Sequence, residues 1–265
     1  MIGPAYIARW RLHAPWPTRE QVEQDLVLSR LVVEIANHPL LGRELVFRGG
    51  TCLHKLWLER PWRYSEDLDY VRRTAGPIGP ALDALREVAA SVGFDRVRTD
   101  VGRFPKVRCG GDFLDGGRMS VKVEINTFER TPALPLAVRP FAVDSPWFCG
   151  SAEVATFALE ELAATKIRAL YQRAKGRDLF DLWLATAVGG ARPTDIADCF
   201  GTYQPAGWTT TAAALNLDTK LRDTNFRTDL DKLVTAWPAG YTIDAAAEVA
   251  RTVLHSIDRR ADIDL

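Results

Sequence analysis

The sequence lacks the marks of a secreted or membrane-spanning protein. Its four cysteines (Cys52, Cys109, Cys149 and Cys199) are widely spaced and form no C-x-x-C pair, which argues against a cysteine metal site or a disulfide framework. No run of about 18 apolar residues occurs, and the N-terminus has no apolar core typical of a signal peptide. We therefore expect a cytoplasmic protein that has no membrane partner.

An excess of charge of one sign is also missing. Lys+Arg and Asp+Glu each total 34 in 265 residues, so net charge gives no sign of nucleic-acid binding and any basic surface must be local. Low-complexity segments and internal repeats are absent from the sequence as well. With 47% hydrophobic residues, the chain is long enough to bury one large core or two modest ones.

A glycine turn is the first functional signal. The segment Arg48-Gly49-Gly50-Thr51 follows the apolar run 45–47, a pattern that predicts a strand, a turn and then a helix. Glycines let the backbone approach a ligand closely, and a helix N-terminus offers free N–H groups to a phosphate. Taken alone, a pair of glycines is equally consistent with an ordinary turn.

The second signal is the pair Asp67 and Asp69 in the segment S-E-D-L-D-Y-V, residues 65–71. In a strand, side chains two positions apart lie on the same face. Two neighbouring carboxylates repel each other unless a cation lies between them. Mg²⁺ fits, because it prefers oxygen ligands and is held by one or two carboxylates together with substrate phosphates. A solvated strand face is the alternative interpretation.

Three polar residues accompany these signals. Lys55, on the predicted helix, is either a ligand for a triphosphate or a solvated surface lysine. Arg63 is a candidate phosphate contact. Ser65 is a candidate hydrogen-bond partner of a phosphate oxygen or of Asp67.

A strand with one apolar face is predicted over residues 118–126. Glu124 lies on its polar face, with Lys122, and is either a third carboxylate of a metal site or an exposed strand glutamate. A polar strand pair is predicted over residues 94–108, where the basic residues either contact nucleic acid or form a solvated edge. These basic residues are Arg96, Arg98, Arg103, Lys106 and Arg108.

Other segments are less informative. Residues 1–17 are predicted to form an arm on the surface, and residues 131–150 a last strand with a connection. The composition changes after Gly150, so we expect a domain boundary near residue 150 and mainly helices beyond it. Towards the C-terminus, helices are predicted around 193–200, 208–216, 218–236 and 242–258.

Three separated blocks resemble the AbiEii/MenT family of bacterial toxin nucleotidyltransferases, which belong to the polymerase-β-like superfamily. The blocks are G-G-T-x-L-x-K at 49–55, R-Y-S-E-D-L-D at 63–69 and E-L-x-A-x-K-x-R-A-L-x-x-R-x-x-x-R-D-x-F-D-L-W at 161–183. Together they span roughly residues 45–185. The first block has G-G-T where polymerase-β relatives typically have G-S.

The resemblance implies an α/β (α+β) fold. A polymerase-β-like core with a mixed sheet would occupy residues 1–150, and a mainly helical lobe, residues 151–265, would contribute a lysine and an aspartate to the active-site cleft. Carried over by position, Lys166 contacts nucleotide phosphates, and Asp178 orients this lysine or assists the base. Asp181 is the alternative for the aspartate.

The resemblance also implies a nucleotidyltransferase that uses Mg²⁺, with Mn²⁺ as a substitute, and a nucleoside triphosphate. The expected metal ligands are Asp67, Asp69 and Glu124. Either Glu124 or Asp178 takes the proton from the attacking hydroxyl. The expected nucleotide-binding residues are Gly49, Gly50, Thr51, Lys55, Arg63, Ser65 and Lys166.

By the same resemblance, the acceptor is the 3′ end of tRNA. Adding nucleotides there blocks aminoacylation and translation, so the protein would be a toxin with a cognate antitoxin. The residues themselves support only the metal and triphosphate chemistry. Two alternatives stay open. One is nucleotidyl transfer to a protein or small-molecule hydroxyl, and a small-molecule enzyme should lack a continuous basic path to Asp67. The other is a non-catalytic binding module of the same fold.

Overall fold

The computed structural model describes residues 2–261. Contacts divide these residues into two compact units, one of residues 2–131 and 136–157 and the other of residues 132–135 and 158–261. Residue 150, near which the sequence predicts a domain boundary, lies within a strand of the first unit. In residues 2–261, every helix is too short or too polar to cross a membrane.

The first unit combines helices with a sheet. Its helices are α1 (Pro4–Trp10), α2 (Arg19–Asn37), α3 (Leu41–Glu44), α4 (Gly49–Cys52), which continues as a π-helical turn over Leu53–Trp57, and α5 (Gly79–Val92). Its strands are β1 (Leu45–Arg48), β2 (Asp67–Arg72), β3 (Arg96–Asp100), β4 (Lys106–Asp112), β5 (Arg118–Asn126), β6 (Ala137–Ser145) and β7 (Phe148–Thr156).

Strand pairing produces one mixed sheet of seven strands within the described residues, in the order β3-β4-β5-β2-β1-β7-β6. Strand β2 runs antiparallel to β1 and parallel to β5. Helices α2 and α5 pack against the sheet. Leu68 and Tyr70 of β2 are buried, whereas Asp67 and Asp69 alternate with them and are half-buried. The predicted mixed α/β fold is thus confirmed.

Local sequence signals explain the ends of several elements. Thr18 and Gln21 form a capping box at the start of α2, with each side chain bonded to the backbone N–H of the other residue. Gly93 ends α5 in the left-handed conformation that favours glycine. Both helix ends therefore follow from residues that are adjacent in the sequence.

Two predictions for the first unit were wrong. The described part of the N-terminal segment is no surface arm, because Trp10 and Trp16 are buried and the Trp10 indole N–H donates to Asp25 at 2.9 Å. Residues 137–156 form a hairpin of two strands, β6 and β7, where the sequence predicts one strand and a connection. Pro140 lies within β6. Because proline disfavours a strand, the sequence did not predict both strands of this hairpin.

The second unit is helical beyond residue 158. Its helices are α6 (Leu159–Gln172), α7 (Gly176–Trp183), which continues as a π-helical turn over Leu184–Val188, α8 (Pro193–Phe200), α9 (Thr210–Lys220), α10 (Thr224–Arg227) and α11 (Ile243–Ala261). The predicted helix over 218–236 is wrong. The Asp223 carboxylate accepts from the N–H of Asn225 at 2.8 Å and starts the single turn α10 instead.

Candidate active site

A cluster of acidic side chains forms where β2 and β5 run side by side. The register places Asp69 opposite Glu124 and Asp67 opposite Lys122. These four residues, here called the carboxylate cluster, therefore share one face of the sheet. Glu124 was the third carboxylate favoured by the sequence, and the structure brings it next to the Asp-x-Asp pair, although its role as a metal ligand stays a prediction.

Lys122 supplies the positive charge within this cluster. Its Nζ lies 3.1 Å from Asp67 Oδ2 and 3.4 Å from Glu124 Oε2. Partial burial alone lowers the pKa of Lys122, but the carboxylates of Asp67, Glu124 and Asp69 outweigh burial and raise the pKa. The sequence placed Lys122 on the polar face of β5 with Glu124 but indicated no function for it, since its other partner, Asp67, is 55 residues away in the chain.

The surroundings of Asp69 disfavour its charged form. Burial raises the pKa of Asp69, and the charges of Asp67 and Glu124 raise it further, while Arg48 and Lys122 act in the opposite direction. Arg48 lies opposite Asp69 in the β1–β2 register, but its guanidinium forms an ion pair with Glu129 at 2.5 Å. The cluster as a whole therefore carries more negative charge than its own cations offset.

The predicted glycine turn lies against this cluster. Gly49 has φ = +83°, and a Cβ built on it would come 2.5 Å from Asp69 Oδ2. Only glycine fits at such a position, because both the backbone conformation and the close approach exclude a side chain. Gly50 follows within the first turn of α4.

Thr51 and Ser65 join this turn to the start of β2. Thr51 Oγ1 donates to the backbone carbonyl of Asp67 at 2.5 Å and lies 2.8 Å from Ser65 Oγ. Because Thr51 is buried, its hydroxyl has a clear structural use in fixing the position of Asp67. A direct contact of Thr51 or Ser65 with phosphate stays a prediction.

The donor set suits a hard divalent cation. Within residues 2–261, no group of three or more His, Cys, Asp and Glu side chains is arranged to hold a metal ion as it stands. Mg²⁺ nevertheless requires only one or two carboxylates when substrate phosphates complete its shell. Asp67 and Asp69 meet this requirement, and the desolvated carboxylate of Asp69 would gain from a neighbouring cation.

Lys55 and Arg63 make contacts with protein groups. Lys55 Nζ lies 3.0 Å from Asp25 Oδ2 and 2.9 Å from Ser29 Oγ of α2, and the Lys55 side chain is only 9% exposed. Lys55 is thus no solvated surface lysine. Arg63 is buried and donates to the carbonyl of Tyr64 at 3.0 Å. The nucleotide-binding roles of both residues stay predictions.

A second group of charges lies in the helical unit. Lys166 Nζ lies 2.7 Å from Asp181 Oδ2 and 3.4 Å from Asp178 Oδ1, so the lysine contacts both candidate aspartates. The side chains of Asp178 and Asp181 are fully buried and that of Lys166 is 8% exposed. One turn of α7 separates the aspartates, which puts both on the face of the helix that meets α6.

Arg173 completes this buried ion-pair cluster, which consists of Lys166, Arg173, Asp178 and Asp181. Its Nε and Nη2 donate to the two oxygens of Asp178 at 2.7 and 2.8 Å. Burial acts to raise the pKa of Asp178, but Lys166 and Arg173 outweigh burial and lower the pKa. Arg173 was not assigned from the sequence, where it stood among five cations between 166 and 177.

Comparison with known proteins gives one family and several similar structures. The family described as nucleotidyl transferase AbiEii toxin, type IV TA system, matches residues 30–249. The structure is similar to MenT4, a nucleotidyltransferase toxin from Mycobacterium tuberculosis, with a TM-score of 0.62, 18% identity and coverage of 97% of this chain and 90% of that one.

It is also similar to JHP933 from Helicobacter pylori, with a TM-score of 0.59, 16% identity and coverage of 93% of this chain and 95% of that one. At such identities the likeness to solved structures concerns the fold alone. No curated protein sequence matches the chain.

Proposed function

Because the chain belongs to the AbiEii family of nucleotidyltransferase toxins from type IV toxin–antitoxin systems, we propose that it transfers nucleotides from a nucleoside triphosphate to the 3′ end of tRNA. The added nucleotides would block aminoacylation and so stop translation. Membership of a toxin–antitoxin family implies an antitoxin as partner. The tRNA acceptor and the Mg²⁺ requirement are parts of the proposal.

The observation that carries the proposal is the carboxylate cluster beside Gly49. Asp67, Asp69 and Glu124 share one sheet face, with a glycine turn held against Asp69 and with fewer cations than carboxylates. Repulsion within such a group destabilises the fold. A function that brings in a divalent cation and phosphates gives this arrangement a purpose, whereas a purely structural role does not.

The candidate residues of both units have defined tasks in the proposal. Asp67 and Asp69 hold Mg²⁺, which when bound polarises the α-phosphate and offsets the charge of the leaving pyrophosphate. The backbone of Gly49 and Gly50 approaches the phosphates, and Ser65 donates a hydrogen bond to them. Lys166 offsets phosphate charge, a role that rests on the sequence block in which it occurs.

Of the two candidate bases, Glu124 is the better one. Arg173 binds both oxygens of Asp178. The pKa of Asp178 is lowered, which makes its carboxylate a weaker base. Glu124 has a single cationic contact, Lys122 at 3.4 Å, and its side chain is 32% exposed, so a hydroxyl can reach it. Asp178 is better suited to orient Lys166.

The test is a transfer assay with purified protein, Mg²⁺, total bacterial tRNA and each labelled nucleoside triphosphate in turn. We expect the wild-type protein to label RNA and the Asp67→Asn protein not to do so. Label on protein or on a small molecule alone would overturn the acceptor. Activity that survives in Asp67→Asn would overturn the assigned site, and no transfer by wild type to any acceptor would favour a binding module.

A further inference from the structure

A row of positive charges crosses three neighbouring strands and ends at Asp67. The register places Arg98 of β3 opposite Arg108 of β4, Arg108 opposite Lys122 of β5, and Lys122 opposite Asp67 of β2. Residues that lie opposite one another share a sheet face. Arg98, Arg108 and Lys122, here called the basic row, therefore lie on the face that carries the carboxylate cluster.

Neighbouring cations on this face are neutralised, but two members of the row are not. Arg96 pairs with Asp112 at 2.8 Å and Lys106 pairs with Asp100 at 3.3 Å. Arg98 and Arg108 are both exposed, and within residues 2–261 neither guanidinium forms an ion pair or a hydrogen bond. Like charges directly opposite each other destabilise a sheet. The two arginines thus repel each other, and the nearby carboxylate of Asp100, whose pKa Arg108 helps to lower, already pairs with Lys106.

Protection of a sheet edge does not account for the row. Charged side chains on an edge strand discourage pairing with another chain, and this explanation suits Arg98, because β3 is at the edge. Strands β4 and β5 are paired on both sides, so Arg108 and Lys122 have no edge to protect. Lys122 already pairs with Asp67 and Glu124, so Arg108 is the cation of the row that neither an internal partner nor edge protection explains. An external anion shared by Arg108 and Arg98 accounts for it.

Two exposed phenylalanines lie just before β4 and just after β5, the strands whose register pairs Lys106 with Glu124. Phe104 is 41% exposed and lies two residues before Lys106, which is in register with Glu124. Phe128 is 60% exposed and follows the end of β5. The two rings meet edge to face, with centroids 6.0 Å apart, and the Arg103 guanidinium lies 5.6 and 5.7 Å from their centroids.

The turn that carries Phe128 is fixed to the end of β5 and to Arg48 at the end of β1. Asn126 Oδ1 accepts from the N–H groups of Phe128 and Glu129 at 2.8 and 3.0 Å. Glu129 in turn binds Arg48, which lies opposite Asp69. The aromatic pair, Phe104 and Phe128, is therefore held in place beside the site and is accessible to a ligand.

We propose that this face binds the single-stranded end of an RNA acceptor, with phosphates along the basic row and an unpaired base on the aromatic pair. The proposal rests on the proposed function and assigns its acceptor surface. Strands are about 4.8 Å apart, so the backbone at Arg98 lies roughly 14 Å from that at Asp67. A triphosphate held at Asp67 does not extend along the whole row, whereas a nucleic-acid strand does.

The aromatic pair indicates a single strand more than a duplex. Bases within a duplex are already stacked, whereas unpaired bases stack on aromatic side chains and arginine planes. Phosphate contacts and stacking also differ in their salt dependence, because only the phosphate contacts release counterions. The two parts of the surface can therefore be tested separately.

The experiment measures binding of a fluorescein-labelled single-stranded RNA 12-mer to the full chain by anisotropy at several salt concentrations. An RNA hairpin without an overhang is compared. For the double variant Arg98→Ala/Arg108→Ala we expect at least about tenfold weaker binding and a salt slope reduced by about 1.4, that is about 0.7 for each phosphate that the variant no longer neutralises. Its thermal stability should be unchanged or higher, because like-charge repulsion is relieved.

Phe128→Ala should weaken binding of the single strand by about 5-fold to 150-fold with an unchanged salt slope. The matched control is Arg43→Ala/Arg73→Ala, which removes two exposed arginines of the same unit that lie outside strands β3, β4 and β5 and should keep wild-type affinity. None of these variants should change the affinity for the nucleoside triphosphate.

The proposal is overturned if Arg98→Ala/Arg108→Ala and Phe128→Ala bind the 12-mer like wild type, or if the control loses as much affinity. It is also overturned if wild type prefers the hairpin. If the wild-type protein transfers nucleotides to RNA and these variants bind RNA as tightly as wild type, this surface is rejected and the proposed function stands. Wild type that transfers nothing to RNA would reject the proposed function itself.

Discussion

The two charged clusters of this protein differ in how far their carboxylates are matched by cations of the protein. In the helical unit, two fully buried aspartates are matched by Lys166 and Arg173, and Asp178 alone receives two guanidinium N–H groups. In the sheet unit, Asp67, Asp69 and Glu124 have Lys122 as their close cation, and they are only half-buried. The first arrangement is complete within the protein, whereas the second lacks positive charge.

This difference separates a cluster whose charges are matched inside the protein from one that a ligand has to complete. The nucleotide-binding role proposed for Lys166 comes in addition to its part in the ion pairs. Breaking a balanced buried group leaves a charge without solvent or partner, which is strongly destabilising. Removing a carboxylate from an unbalanced group relieves repulsion, so stability is kept while ligand binding is lost. Substitutions in the two clusters should therefore differ in their effect on folding.

The largest expected effect on folding comes from Lys166→Met. It leaves Asp178 and Asp181 buried with one cation fewer, so we expect the free energy of unfolding to fall by about 3–5 kcal/mol. The control Lys175→Met removes a 47% exposed lysine whose partner, Asp229, is 3.7 Å away and should cost less than about 1 kcal/mol. Urea denaturation of both proteins checks this, and equal stabilities would contradict the account of the helical unit.

Asp67→Asn should lose activity but, unlike Lys166→Met, keep its stability. Removal of a residue that only supports a metal ligand lowers activity by about 10-fold to 100-fold, so removal of a ligand itself should reduce nucleotide transfer by more than about 100-fold. The free energy of unfolding should stay the same or rise, because repulsion with Asp69 is relieved. Asp83→Asn, at an exposed position of α5, serves as the control. A strongly destabilised Asp67→Asn protein would show that Asp67 has a mainly structural role.

Gly49→Ala tests the contact between the glycine turn and Asp69. The added Cβ would meet Asp69 Oδ2 at 2.5 Å, so the carboxylate has to move, and displacement of that size lowers transfer by about 10-fold to 100-fold. Gly116→Ala has the same backbone strain, with φ = +89°, but open space around its Cβ. It should lose about 1 kcal/mol of stability and no activity. Equal activities of Gly49→Ala and Gly116→Ala would show that the glycine turn is not part of the site.

Lys122→Met should give the smallest effect. Its ammonium competes with a metal ion for Asp67, and partly exposed ion pairs contribute about 0.2–1 kcal/mol. We therefore expect Mg²⁺ to bind the variant up to about fivefold more tightly in calorimetric titrations without nucleotide. The same titration of Lys175→Met should match wild type. Weaker Mg²⁺ binding by Lys122→Met would mean that the lysine orders the carboxylates instead of competing for them.

Local signals predicted much of the fold and the first view of the site. The alternation along β5 and the glycine turn before α4 each depend on a few adjacent residues, and each was confirmed. The three sequence blocks led to the family, which the match over residues 30–249 confirms. Motif and periodicity suffice where the determining contacts are short in sequence.

Features that depend on strand register were not predictable. The position of Lys122 between Asp67 and Glu124, and the alignment of Arg98 with Arg108, arise from pairing between distant strands. The burial of Trp10 likewise depends on Asp25 of α2. No local pattern specifies which strands become neighbours, so these contacts needed the three-dimensional structure.

The central claim is that the carboxylate cluster directs a nucleotide onto the 3′ end of tRNA. The most direct measurement compares label transfer to intact tRNA with transfer to tRNA whose terminal 2′,3′-diol has been oxidised by periodate. We expect the wild-type protein to label intact tRNA but not oxidised tRNA. We expect the Asp67→Asn protein to label neither. Equal labelling of intact and oxidised tRNA, or labelling by Asp67→Asn, would contradict it.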